Sequence, residues 1–238
     1  MIQMKKAIGI LGGMGPMATA DLFQKIVALT DADGDGGHIR IYIDSNASIP
    51  DRTAAILRGG EDPVPAMADS LAKLESCGAD CIVMPCNTAH YFLPRLAERT
   101  ERPFVNMIGA AAAVCRARFP GKTAGILATA GTLAAGLYQE SLEARGVPFL
   151  VPDEAEQDAL MEVIYQGVKA GAPPEAYREA FLSVTEGLSR RGAECFLLAC
   201  TELPLAARSL GLDLPCVDPT EELAKAAIRF CGYAVKDK

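Results

Sequence analysis

A chain of 238 residues with 50% hydrophobic and 22% charged residues and a mean hydropathy of +0.17 has material for a sizeable core, which excludes a disordered segment. The net charge of −7 and pI near 5.0 argue against nucleic-acid and anionic-membrane surfaces, which need clustered Lys and Arg. No apolar run reaches the roughly eighteen residues that span a bilayer, and the opening MIQMKKAIGILGG lacks a long apolar region with a cleavage site, so a cytoplasmic protein is expected.

In chain order, 7-AIGIL-11, 39-IRIYI-43, 81-CIVM-84, 103-PFVNM-107, 124-AGILA-128, 147-VPFLV-151 and 195-CFLLA-199 read as short strands. Near-continuous apolar strands belong to a parallel sheet covered on both faces. Between them, 66-AMADSLAKLESCG-78 and 175-EAYREAFLSVTEGLSRRG-192 carry apolar residues at helical spacing and stop at Gly, a helix C-terminal signal. The class is α/β.

The pattern repeats. The stretch 79-ADCIVMPCNTAHYF-92 returns as 193-AECFLLACTELPL-205, and 6-KAIGILGGMGPMATADLFQ-24 resembles 122-KTAGILATAGTLAAGLYQ-139. Two similar lobes are expected, each a short, mostly parallel sheet flanked by helices. They should be related by a pseudo-twofold axis, with the active site in the cleft between them. The first lobe covers 1–108 and the second 109–215, and the C-terminal helix within 216–238, with Thr220 as N-cap, returns to complete the first.

In open parallel sheets ligands bind beyond the carboxyl ends of strands. Cys86 and Cys200 stand there in matching repeat positions, the first followed by Asn87 and Thr88, the second by Thr201 and Glu202, as capping residues. A helix N-terminus lowers a thiol pKa, which makes both thiols candidate bases or nucleophiles. The other cysteines, Cys77, Cys81, Cys115, Cys195, Cys216 and Cys231, read as small buried hydrophobes. With no zinc-type spacing and only His38 and His90 as histidines, neither a disulfide framework nor a metal site is expected.

The loop 12-GGMGPMAT-19 fits G-x-G-x-x-A at Gly13, Gly15 and Ala18, but the acidic residue of a dinucleotide site has only Asp44 as a late candidate. The preferred reading is a loop whose amides, at Gly12, Gly13 and Met14, face a carboxylate. Arg52 is a candidate to hold a carboxylate bidentately, and Lys169, at a helix end, is a second cation or a solvated lysine. Thr129, Gly131 and Thr132, in 128-ATAGT-132, form the second lobe's counterpart of this loop, donating to a carboxylate or capping a helix. Glu202 is read as a partner of a substrate ammonium, a modulator of Cys200 or a plain first-turn glutamate, and His90 as a site or packed histidine.

Taken together, 10-ILGGMGPMAT-19, 50-PDRT-53, 85-PCNTAH-90, 127-LATAGT-132 and 199-ACTE-202 resemble the aspartate racemase family of the aspartate/glutamate racemase superfamily. The Gly12-Gly13-Met14 loop and Glu202 stand where a glutamate racemase would carry Asp-Ser-Gly and the His of C-T-H. The resemblance implies racemisation of a dicarboxylic amino acid without pyridoxal phosphate or other cofactor, by two cysteines facing across the cleft, in a homodimer. It also implies that Arg52 and Lys169 hold substrate carboxylates. Inversion needs a base on one face of Cα and an acid on the other, which a duplicated lobe supplies. Asn87, Thr88, Thr129, Thr132, Thr201 and the Gly12–Gly15 backbone are the candidate donors that stabilise the carbanion. The alternatives are a glutamate or broad-specificity amino-acid racemase, a one-cysteine diacid isomerase, a silent dicarboxylate-binding protein or a dithiol redox protein.

Overall fold

The computed structural model describes residues 6–236; the ends of the expected first lobe, 1–5 and 237–238, lie outside them. The chain divides into two compact units. The first contains residues up to Ala55, Gly59–Met107 and the chain from Thr220; the second contains Ile56–Arg58 and Ile108–Pro219.

The elements run β1 (Ile8–Gly12), α1 (Pro16–Leu29), β2 (Ile41–Ser45), α2 (Arg52–Arg58), α3 (Val64–Ser76), β3 (Cys81–Val83), a 3-10 turn (Thr88–Phe92) and α4 (Leu93–Ala97). Then come α5 (Met107–Arg118), β4 (Ala124–Ala128), α6 (Ala130–Ala134), α7 (Leu137–Glu143), β5 (Phe149–Leu150) and α8 (Glu154–Glu162), which passes into a π-helical turn (Val163–Val168). The chain ends with α9 (Glu175–Arg190), β6 (Cys195–Ala199), α10 (Glu202–Ser209), β7 (Cys216–Val217) and α11 (Pro219–Phe230).

The first unit is built on a parallel sheet in the order β2-β1-β3, with Ile8 opposite both Ile41 and Cys81. A single parallel bridge from Phe104 to Ile82 extends it beyond β3. Ile8, Ile10, Cys81 and Val83 pack against Leu22 and Ile26 of α1 and Leu223, Ala224, Ala227 and Ile228 of α11. The second unit repeats the order as β5-β4-β6-β7, again all parallel. Its strands bury both faces. Ala124, Ile126, Ala128, Cys195, Leu197 and Ala199 pack with Ala111, Ala112 and Cys115 of α5 and Tyr138 and Leu142 of α7. Leu127, Phe196 and Leu198 turn to the opposite face, against Leu160, Phe181, Val184 and Leu188 of α8 and α9. That alternation explains why each strand reads as one unbroken apolar run.

The α/β class and the two helix-flanked parallel sheets agree with the sequence. Each repeat also gives its last helix away: α5 follows the first unit's Phe104 segment but packs in the second unit, and α11 follows β7 but packs in the first.

Some expected elements differ. The strand at 103–107 reduces to one bridge because Pro103 has no N–H to give and Met107 begins α5. The run 147–151 keeps only Phe149–Leu150, after Pro148. Thr220 is not an N-cap: α11 starts one residue earlier at Pro219, whose fixed φ suits the first helical position. No helix among the described residues is long and apolar enough to cross a membrane.

Candidate active site

In the first unit β3 leads through Met84 and Pro85 to Cys86, which is buried. Asn87 follows with helical dihedrals (φ −60, ψ −49) and no side-chain cap, because a capping side chain reaches back over a helix start only from extended backbone. His90 lies inside the unit. Its Nδ1 is 2.9 Å from the Cys86 carbonyl oxygen, and the Met107 N–H donates to its Nε2 at 3.2 Å. Burial pushes its pKa down to about 4, against the smaller opposing effect of the Cys86 hydrogen bond. The packed reading of His90 holds.

The Gly12–Gly15 loop is organised by Thr19, whose Oγ1 accepts the Gly13 N–H at 2.9 Å and donates to the Gly15 carbonyl at 3.1 Å. The Gly13 amide is therefore engaged, unlike the expected anion donor. Arg52 begins α2 behind the Asp51 cap, whose side chain accepts the Ala54 N–H. The residue is 8% exposed. Nη1 donates to the carbonyls of Ile49 and Pro50 at 3.0 and 2.8 Å, and Nη2 to that of Met14 at 3.3 Å. Its buried Nε has no partner among the described residues. Three of the five guanidinium N–H groups are thus engaged, two with the segment before α2 and one with the glycine loop.

In the second unit β6 delivers Cys200, also buried. Its Sγ donates to Glu202 Oε2 at 3.0 Å, and the Thr201 hydroxyl donates to the same oxygen at 3.1 Å. Burial and then the Glu202 charge push the thiol well above its ordinary pKa, and the Lys169 charge pulls the other way. This corrects the expectation that the helix N-terminus makes Cys200 acidic: desolvation and an adjoining carboxylate outweigh the start of α10. Thr201 has helical dihedrals and makes no side-chain cap. Thr129 does cap: its Oγ1 accepts the Thr132 N–H at 3.2 Å and lies 3.0 Å from Thr132 Oγ1, with Gly131 buried between them. The Lys169 ammonium sits 4.5 Å from the centroid of the Tyr165 ring.

Several contributors were not visible in sequence. Gln157, on α8, donates to the carbonyl of Ala128 at the end of β4 at 3.0 Å, and Met161 Sδ accepts from Ala130 N–H at 3.3 Å. A single sequence carries no signal for these, whereas Thr19, four residues after Gly15, matches a spacing at which a threonine folds back on a helix start. Of the cysteines outside the strand ends, Cys81 and Cys231 touch at 3.9 Å between sulfurs, and Cys115 contacts Cys195 at the equivalent place in the second unit. Thiol–thiol contact, then burial, raises the pKa of Cys81 and Cys195. Cys77, at the end of α3, is exposed and Cys216 only partly buried, unlike the buried reading, because each lies at the margin of its element. No cluster of three or more potential metal-ligating His, Cys, Asp or Glu side chains occurs among the described residues.

Residues 11–227 match the protein family described as Asp/Glu/hydantoin racemase. The chain belongs to that family. Among solved structures, this racemase is similar to the Picrophilus torridus aspartate racemase, at 35% identity and a TM-score of 0.84, with 97% of this chain and 96% of that one covered. It is 26% identical to the Bacillus subtilis broad specificity amino-acid racemase RacX, over 93% of this chain and 96% of that protein. A Deinococcus radiodurans glutamate racemase is 32% identical over 71% of this chain and 57% of its own length.

Proposed function

We propose that this racemase interconverts L- and D-aspartate without pyridoxal phosphate, by proton transfer between Cys86 and Cys200. The observation that carries the reading is the matched placement of a buried cysteine just beyond the carboxyl end of β3 and of β6, in sheets of the same strand order. In one direction the Cys86 thiolate removes the Cα proton and the Cys200 thiol delivers its own to the opposite face. The C–H bond broken at one face is replaced by one formed at the other, and the two sulfurs exchange protonation states. Cys200, resting protonated with its S–H on Glu202, suits the acid role in this direction. The reverse direction restores the first state.

With no electron sink from a cofactor, the carbanion depends on donors aimed at the α-carboxylate. The unengaged Nε side of Arg52 supports one carboxylate contact, and Lys169, near enough to lower the Cys200 pKa, supports a second. Asn87, Thr88 and Thr201, all buried beside the two cysteines, are the remaining donors. The 35% identity to a protein named as an aspartate racemase favours aspartate over glutamate. The reading adopts a cytoplasmic location and a homodimer. The exposed apolar residues Met17, Phe23 and Val27 of α1 support that assembly.

Chiral chromatography of cofactor-free enzyme with L-aspartate, L-glutamate and other amino acids tests the reading. Aspartate should invert fastest, and Cys86→Ala and Cys200→Ala should each abolish inversion. A variant with one cysteine that keeps substantial activity would instead indicate a one-thiol reaction.

A further inference from the structure

The reaction leaves the carbonyl of Cys86 unused, yet that oxygen receives a buried side-chain contact. The ladder between β1 and β3 ends at the pair Ile10 and Val83, three residues before Cys86, and Pro85 between them brings no N–H. The thiol therefore stands on backbone that the sheet does not hold. His90, 5% exposed, lies with Nδ1 2.9 Å from the Cys86 carbonyl and receives the Met107 N–H on Nε2 at 3.2 Å. A carbonyl only accepts and an amide N–H only donates. Of the three protonation states of imidazole, only the neutral form protonated on Nδ1 satisfies both partners. Met107 is the first residue of α5, so the ring also occupies one of the helix's open N–H groups.

We propose that His90 is a positioning residue for Cys86: held as the Nδ1-protonated imidazole by the Met107 N–H on its Nε2, it donates to the Cys86 carbonyl and so fixes the backbone that carries the thiol. This rests on Cys86 being a reacting thiol. The second unit has no such strut, because the position matching His90 is Pro204, and there Glu202 holds the sulfur itself. The two cysteines of the repeat are thus held by different means, one through its backbone and one through its side chain. The low pKa of His90 keeps the ring uncharged through neutral pH, so the strut neither competes for protons nor places a cation beside the thiol.

The substitutions that test this are His90→Asn, His90→Gln and His90→Leu in the full chain. The Asn amide reaches the Nδ1 position and can donate to the Cys86 carbonyl. The Gln carbonyl reaches the Nε2 position and serves only Met107. Racemisation kinetics give one readout. The rate of Cys86 carbamidomethylation by iodoacetamide, followed by peptide mass spectrometry, gives another that needs no turnover. A misplacement of about 1 Å costs roughly a hundredfold in rate. His90→Leu and His90→Gln should therefore lose about ten- to a hundredfold in kcat with little change in KM and an altered Cys86 alkylation rate, while His90→Asn recovers most of both. Wild-type kcat and alkylation in the Leu and Gln variants would overturn the proposal, as would an Asn variant as impaired as Leu. Should the wild type racemise nothing, the alkylation comparison still decides the positioning role while the functional reading fails. Nitrogen-15 NMR of the wild type, which has two histidines, keeps the proposal falsifiable if the variants do not fold. One ring must show a protonated Nδ1 with a lone pair on Nε2 at neutral pH, and two Nε2-protonated rings refute the strut.

Discussion

Gly13 is the position where replacing a hydrogen by a methyl group should damage the loop most. Its φ of +89 is one that L side chains rarely adopt, and a Cβ built there would lie 2.2, 2.3 and 2.6 Å from the backbone C, O and N of Asn46. Carbon atoms in contact normally sit about 3.5–4.0 Å apart, so the backbone after β2 would have to move by more than 1 Å. The left-handed conformation costs about 1–2 kcal/mol and the overpacking about 1–3 kcal/mol more, together about 2–5 kcal/mol for Gly13→Ala. Gly59, at the end of α2, isolates the first contribution: it has φ +62, ψ +31, and nothing within 4 Å of an added Cβ. In a chain of this size 1 kcal/mol moves Tm by about 2–4 °C. Differential scanning fluorimetry should thus show a drop of about 4–20 °C for Gly13→Ala, exceeding that of Gly59→Ala, which should fall by about 2–8 °C. Equal drops, or a Gly13→Ala protein that melts with the wild type, would refute the reasoning.

Glu202→Gln removes the charge beside Cys200 and leaves a side chain of the same shape. Because that charge raises the thiol pKa, the pH profile of Cys200 alkylation should move to lower pH, and an unmoved profile would show that burial alone sets it. His90 makes stability depend on pH. Its folded pKa of about 4 lies below the ordinary 6.5, so the unfolded chain binds the extra proton between them. The neutral ring contributes fully above pH 6.5, and that contribution falls away as pH drops toward 4, by about 3 kcal/mol in all at 1.36 kcal/mol per unit. Urea titrations should show this slope in the wild type and about one proton less of it in His90→Asn; parallel slopes would contradict the assignment.

Where one local property decided the outcome, the sequence was a sufficient guide. The runs 124–128 and 195–199 became β4 and β6 with those bounds because both faces of each strand are buried. β7 escaped notice because Cys216–Val217 is too short to show a period. The placement of Cys86 and Cys200 was legible from the repeat. What holds them was not, since it depends on partners distant in sequence or on the backbone: Met107 lies 17 residues beyond His90, Met14 lies 38 before Arg52, and Cys81 meets Cys231 across 150. Glu202 was legible as a neighbour of Cys200, but its effect on the thiol required knowing that both are buried.

The central claim is that two thiols act on opposite faces of one Cα, and the most direct measurement is racemisation of L-aspartate in deuterated water, with enantiomer ratio and Cα deuterium followed from the earliest turnovers. The account predicts that D-aspartate appears carrying deuterium, delivered by a solvent-exchanged thiol, while the remaining L-aspartate stays protonated. Deuterium entering both enantiomers at the same early rate would mean that one base serves both faces, and would contradict it.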